Sequence, residues 1–448
     1  HSRVYFAGTT TIAPTLYEPA GDDFIPQTFK VSFELNEDAT ADTVKLIIPR
    51  TGTCSGGSSD SNSPHTLELS PAHELLGVHN ITIPALSGAP SDQNSGNSID
   101  SVSPAGENLV DGCVYSMRIE YQDRAANPVA FDLKRFITFD TTKPTADSAT
   151  LDLNTGILTI TLSENINVDG QDRDTYLDGD NDPATESQSI VTSKFILSHS
   201  TMGSQVLLGQ STFLTTADGT TVQFELTEAQ RITAIEYSGT PGGDGDALKL
   251  DVLSKAFYDQ ATNPNENNLD VTVTEIADTI KPNITAAFID YSTGTLRLQA
   301  SEKLNLDAKG RDNGAGGYFP VSGVQVDLGK VYISNTNEVA TMALTGATFT
   351  DTDSSEVTIV LTEAQRVAAI AISNTPGGGG TTGDGSAIFI HILDNAFQDI
   401  ATISSTATAV NHPLGLQATE TPDIVKPVIE SASIQLGTGN MQLSVSET

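Results

Sequence analysis

LDLNTGILTITLSEN, residues 151–165, carries a strand pattern whose repetition decides the fold. Leu158, Ile160 and Leu162 alternate with Thr159, Thr161 and Ser163, the period-two pattern of a strand with one buried face. Asn154-Thr155-Gly156 lies just before that run, and these residue types suit a tight hairpin turn. The stretch returns as IDYSTGTLRLQASEK (289–303) and again as IQLGTGNMQLSVSET (434–448). Each copy is preceded by one linker motif: Asp140-Thr141-Thr142-Lys143-Pro144, Asp278-Thr279-Ile280-Lys281-Pro282 and Asp423-Ile424-Val425-Lys426-Pro427. The linkers are 138 and 145 residues apart, so the chain is an array of repeated units.

Working outward, LTEAQRITAIEYSGTPGG (226–243) matches LTEAQRVAAIAISNTPGG (361–378). Thr227 and Thr362 are natural N-caps ahead of good helix formers, so each repeat should carry a short helix ended by its Pro-Gly-Gly loop. AFYDQATNP (256–264) matches AFQDIAT (396–402), and EYQDRAANP (120–128) is a cousin in the first unit. Many short strands at close turn spacing predict an all-β architecture of tandem β-sandwiches, with one short helix inserted in each repeat. The expected division is 1–141, 142–279, 280–424, and 425–448 as the opening strands of a further, incomplete repeat. A lone strand pair is not independently stable, so these last residues are expected to continue into more chain or to pair with a neighbouring copy.

Composition excludes several partners. The 22 Lys and Arg face 57 Asp and Glu, a formal net charge of −35, which suits neither nucleic acid nor an anionic membrane surface. No apolar run is long enough to span a bilayer, and no signal peptide is visible. The two cysteines, Cys54 and Cys113, lack metal-site spacing. A disulfide between them fits an oxidising compartment, and two buried free thiols are the alternative. Asn80-Ile81-Thr82 and Asn283-Ile284-Thr285 are acceptor triplets for N-glycosylation, with Asn80 and Asn283 as the modified residues.

The units resemble the bacterial-type, cadherin-like Ig-like repeats of large surface proteins of bacteria, algae and other microbial eukaryotes. The residues carrying the resemblance are the opening strands at 155–164 and 293–302, the closing turns Asp123–Asn127 and Asp259–Asn263, and the Asp-x-x-Lys-Pro linkers. The match covers nearly all of 142–448. The first unit departs from it, lacking the opening block and carrying Ser-rich insertions (51–63 and 91–104). The resemblance implies an extracellular or cell-surface chain with a structural or adhesive role, one that associates with its own continuation or with other copies in a fibre or coat.

Recurring acids suggest Ca²⁺. Each opening strand ends in a glutamate (Glu164, Glu302, Glu447), each closing turn carries an aspartate (Asp123, Asp259, Asp399), and each linker begins with one (Asp140, Asp278, Asp423). The closing turn of one unit, the linker after it and the next opening strand are expected to meet at the junction, where three carboxylates suit Ca²⁺. The competing reading makes these acids turn caps and solvent-facing groups. Asp178, Asp180 and Asp182 form a second candidate, a looser calcium loop with Pro183 where an EF-hand needs glycine. No nucleophile elbow, zinc-protease helix or phosphate loop is present, so a non-enzymatic role is expected and a secreted hydrolase is the least favoured reading. A fibre or stalk component with calcium-stiffened junctions is favoured. The rival is an adhesin that binds glycans or surfaces through a sandwich loop, for which Tyr318-Phe319 is the one aromatic candidate.

Overall fold

The computed structural model describes residues 10–86, 98–168, 190–199, 205–307, 326–335, 342–373, 375, 386–403, 405 and 415–446. The second unit shows the architecture best. Its first sheet runs Thr212–Phe213, Gly219–Glu225, Ile157–Ile166, Ala146–Asp152 and Asn268–Ile276. The second sheet continues from Asn268–Ile276 through Lys249–Val252 and Phe195–Ser198 to Gln205–Leu207. The alternation in 151–165 does what it predicts: Leu158, Ile160 and Leu162 are at most 3% exposed and face the opposing sheet's Phe195, Leu197 and Leu250, which are fully buried. Phe195 packs on Phe224 and Phe257 with ring centroids 4.8 and 6.1 Å apart. The third unit repeats this with its final strand in two pieces, Leu416–Gln417 in one sheet and Thr419–Thr421 in the other.

In every sandwich the last strand lies parallel to a strand near the start of the unit. The pairs run from Ala149↔Val273 to Asp152↔Ile276, and from Phe288↔Thr419 to Asp290↔Thr421. In the first unit the equivalent pairs are Phe24↔Thr138 and Ile25↔Phe139. Among the described residues all other ladders are antiparallel. Two packed sheets joined by this one parallel contact make the units Ig-like sandwiches.

The first unit pairs a small sheet (Thr15–Glu18, Phe29–Leu35, Gly77–Ile83) with a larger one that includes Cys113–Tyr121 and Ala130–Phe139. Cys54 stands opposite Cys113 on paired strands, and a disulfide joins them. Among the described residues there are two α-helices, α1 (Glu228–Glu236) and α2 (Glu363–Ile372). Both begin with a full capping box, Thr227 with Gln230 and Thr362 with Gln365. The same glutamines reach the other sheet, Gln230 Nε2 donating to Leu207 O (2.6 Å) and Gln365 Nε2 to Ala343 O (3.2 Å), so each helix is tied to it.

Three apolar cores follow one another along the chain, and the second contains Ile400 and Ala401 from the third unit's closing turn. That turn sits against Gly242, whose φ is +90°. A Cβ there would lie 2.4 Å from Ile400 O, so only glycine allows this approach. Ile429–Gln435 and Asn440–Val445 form a two-stranded hairpin that is exposed along its length.

Candidate metal centres at the domain junctions

The parallel contact between early and last strands fixes which acids meet. In the second unit, Lys249–Val252 and Asn268–Ile276 are antiparallel neighbours, so the closing turn between them lies where the last strand starts. The last strand runs parallel to Ala146–Asp152, so this is also the end at which the linker enters the unit. The bridge Ile166↔Asp259 brings the end of the opening hairpin to the same place, and Leu304↔Asp399 does so in the next unit.

Among the described residues the result is two triads, Asp140–Glu164–Asp259 and Asp278–Glu302–Asp399, each with one carboxylate oxygen per residue within 4.8 Å of the others. This corrects the grouping expected from sequence. Asp123 does not join Asp140 and Glu164; it holds the entry end of its own unit, bridged to Ala39. In the same way Asp259 meets the linker before it, not the linker after it. Asp423 pairs with Arg366, while Glu447 lies outside the described residues. So do Asp178, Asp180, Asp182 and the Tyr318-Phe319 loop. Asn80 and Asn283 are both exposed.

At the first junction Asn263 Nδ2 donates to Asp140 O at 2.9 Å, fastening the closing turn to the linker. Asp259 Oδ1 and Oδ2 accept from Asn263 N (2.7 Å) and Nδ2 (2.9 Å). Burial and the neighbouring Asp140 push Asp259 up to about 7, although these hydrogen bonds oppose the shift. Glu164 is likewise pushed up to about 7, by burial first and then by Asp140, Asp259 and Asp111. Its Oε1 is buried without a hydrogen-bond partner. Asp111, from the preceding unit, is a fourth nearby acid. Burial would raise it, but donors from Thr141 and Thr142 (2.6 to 2.9 Å) outweigh that and hold it low.

The second junction is more enclosed: Asp278, Glu302 and Asp399 are 3%, 8% and 1% exposed. Position 403 is Ile where the previous repeat has Asn263, so Asp399 keeps the backbone bond from Ile403 N (2.7 Å) but loses the side-chain donor. Asp399 Oδ2 and Glu302 Oε1 are both buried without partners. Burial, reinforced by neighbouring acids, raises Asp399 to about 8 and Glu302 to about 7.

A feature that sequence reasoning missed sits here. Arg231, on α1 of the preceding unit, donates to Asp278 Oδ2 (2.7 Å), Glu302 Oε2 (3.4 Å) and Leu153 O (2.9 Å). Its recurrence as Arg366, which donates to Asp423 Oδ2 (2.7 Å) and Tyr291 O (3.0 Å), was the signal that could have found it. The hairpin turn also grips the departing linker: Asn154 Oδ1 accepts from Thr279 N at 2.8 Å, and Ser292 Oγ accepts from Ile424 N at 3.0 Å.

These donor sets fit a hard divalent cation. Oxygens sharing one Ca²⁺ lie no more than about 5 Å apart, and carboxylates are its preferred ligands. Unpartnered buried carboxylate oxygens are costly unless a cation or proton meets them. At the second junction a divalent ion would offset most of the charge of the three carboxylates, because Arg231 is shared with the half-exposed Glu228 (2.8 and 3.0 Å).

No family model matches the sequence, and no curated protein matches it. Among solved structures, the ICAM-5 D1–D4 ectodomain fragment aligns at a TM-score of 0.17 and 11% identity, over 69% of this chain and 65% of that one. The chain therefore spans just under two thirds of that fragment. A marsupial T cell receptor aligns at a TM-score of 0.20 and 9% identity, over 85% and 96%. A structure on the basis of Dscam isoform specificity aligns at 0.21 and 8%, over 97% and 86%. These superpositions are loose, and the Ig-like assignment rests on the strand order described above.

Proposed function

We propose that this chain is a non-enzymatic structural segment of an extracellular, cell-surface assembly. In this reading it is a run of Ig-like sandwiches of the bacterial-type, cadherin-like kind, whose junctions are stiffened by divalent cations, Ca²⁺ foremost. The observation that carries the reading is the recurrence of one acid triad at both junctions. In each, the linker aspartate meets the glutamate and closing-turn aspartate of the unit it enters, and at least one buried carboxylate oxygen of the triad has no hydrogen-bond partner. Asp140, Glu164 and Asp259 would hold one ion and Asp278, Glu302 and Asp399 the other. A bound cation supplies positive charge that lets these acids stay ionised while buried. Arg231 and Asn154 tie the same linker to the unit it leaves, so both sides of the second junction are fastened.

Small-angle X-ray scattering of the chain in millimolar Ca²⁺ and in chelator tests this. A single narrow distance distribution in Ca²⁺ that broadens on chelation is expected. Identical curves in both conditions would remove the cation-stiffened rod.

A further inference from the structure

A second metal chemistry lies in the first unit, away from the junctions. His73 ends a short 3₁₀ turn, Pro71–His73, and His79 stands on the edge strand Gly77–Ile83. Their Nδ1 atoms face each other at 3.4 Å. His79 Nε2 lies 2.8 Å from the carbonyl of Leu75, which can only accept, so Nε2 carries the proton and Nδ1 presents its lone pair to the gap. A ligating histidine is usually held in this way, its other nitrogen donating to a carbonyl. The ring is also fixed by stacking on the buried Phe33 at 5.1 Å, while the two imidazoles meet edge-on at 82°.

We propose that His73 and His79 form a bidentate site for a borderline transition-metal ion of the Zn²⁺ class. Two nitrogens bound at about 2.0–2.1 Å in a tetrahedron are roughly 3.4 Å apart, the separation seen here. The same spacing also admits a long hydrogen bond in which His73 Nδ1 donates to His79 Nδ1, and a metal ion would replace that proton. Burial and the neighbouring His79 lower the pKa of His73, which favours the neutral, ligating form. Three acids of the neighbouring segments have partners of their own: Glu74 Oε1 accepts from Asp42 N (2.6 Å), Asp38 accepts from Leu76 N (3.0 Å) and pairs with Arg124 (3.3 Å), and Glu34 accepts from Tyr17 Oη. The remaining coordination positions therefore fall to water or to a donor from outside the unit. The site opens beside Leu75, Leu76 and Val78, which are 54%, 57% and 58% exposed. Imidazole selects such ions over Ca²⁺, so millimolar Ca²⁺ leaves the histidine pair free while occupying the junction carboxylates.

The test is calorimetric titration of ZnCl₂ into the full chain in millimolar CaCl₂, for wild type, His73→Gln and His79→Gln. One site in wild type, weakened more than about tenfold in both variants, is expected. Cys54 and Cys113 offer no thiolate because they are bonded to each other. His1 remains in all three proteins as an internal control. Equal binding in the three proteins, loss in only one variant, or no binding by wild type would each overturn the site. Should a variant fail to fold, ¹⁵N-histidine spectra of wild type decide the matter. Zn²⁺ must shift the Nδ1 signals of two histidines, and a shift confined to Nε2, or none, overturns the proposal.

Discussion

Replacing Arg231 with alanine tests the logic of the second junction directly. The guanidinium is 8% exposed, and it faces Asp278 and Glu302, whose side chains are 1% and 9% exposed. Removing it leaves two buried carboxylates without their cation, beside Asp399, which already has a partnerless oxygen. Breaking a buried pair in this way costs about 3–5 kcal/mol. At roughly 3 °C per kcal/mol for a unit of this size, the transition of the unit bearing α1 should fall by about 9–15 °C in chelator. Scanning calorimetry of the full chain reads this. Ca²⁺ should then stabilise the variant more than wild type, because the cation replaces the lost charge. Arg366→Ala is the control: its partner Asp423 is 15% exposed, so a smaller loss is expected. A fall of under about 3 °C, or a Ca²⁺ response no greater than that of wild type, would refute the reasoning.

Saturating Ca²⁺ at about 100 times its dissociation constant should stabilise each wild-type junction by about 2.7 kcal/mol, and Glu302→Gln should remove that gain at the second junction, as read by the same calorimetry. In chelator, the pKa values of Asp399 (about 8) and Asp259, Glu164 and Glu302 (about 7) lie above their unfolded values. Their contribution to stability is therefore full below about pH 4 and is lost progressively as pH rises to 7–8. Metal-free Asp399→Asn should therefore be more stable than wild type at pH 8, and that advantage should shrink when both are measured at pH 5, as read from urea midpoints. Gly242→Ala should place a methyl 2.4 Å from Ile400 O and force the two repeats apart, at a cost of about 1–3 kcal/mol. Faster amide exchange at Ile400 and Ala401 would report it.

The sandwich itself was legible from the alternation of Leu158, Ile160 and Leu162 and from the recurrence of the block that holds them. Both helices were legible from their threonine caps. The acids were legible as a set, because the repeat singled them out, but their grouping was not. Whether Asp123 or Asp259 meets Asp140 depends on which end of the sandwich holds the closing turn. That follows from the parallel contact between early and last strands, a long-range pairing with no local signature. Arg231 was hidden for another reason. In a helix rich in helix formers an arginine looks like a solvent-facing residue, and only the tertiary position of the departing linker turns it inward. The Asn263-to-Ile403 exchange was visible in the aligned repeats, yet it has meaning only once both residues are seen beside their aspartates.

The same parallel contact has a mechanical consequence. A pull along the chain enters a unit at the start of its early strand and leaves at the end of its last. Because those strands are neighbours, the load falls on their ladder in shear, and its hydrogen bonds must fail together. That ladder runs from Ala149↔Val273 to Asp152↔Ile276 in the second unit and from Phe288↔Thr419 to Asp290↔Thr421 in the third, but in the first it comprises only Phe24↔Thr138 and Ile25↔Phe139. Under tension the first unit should yield its strand pairing first, while its Cys54–Cys113 bond caps how far it can lengthen.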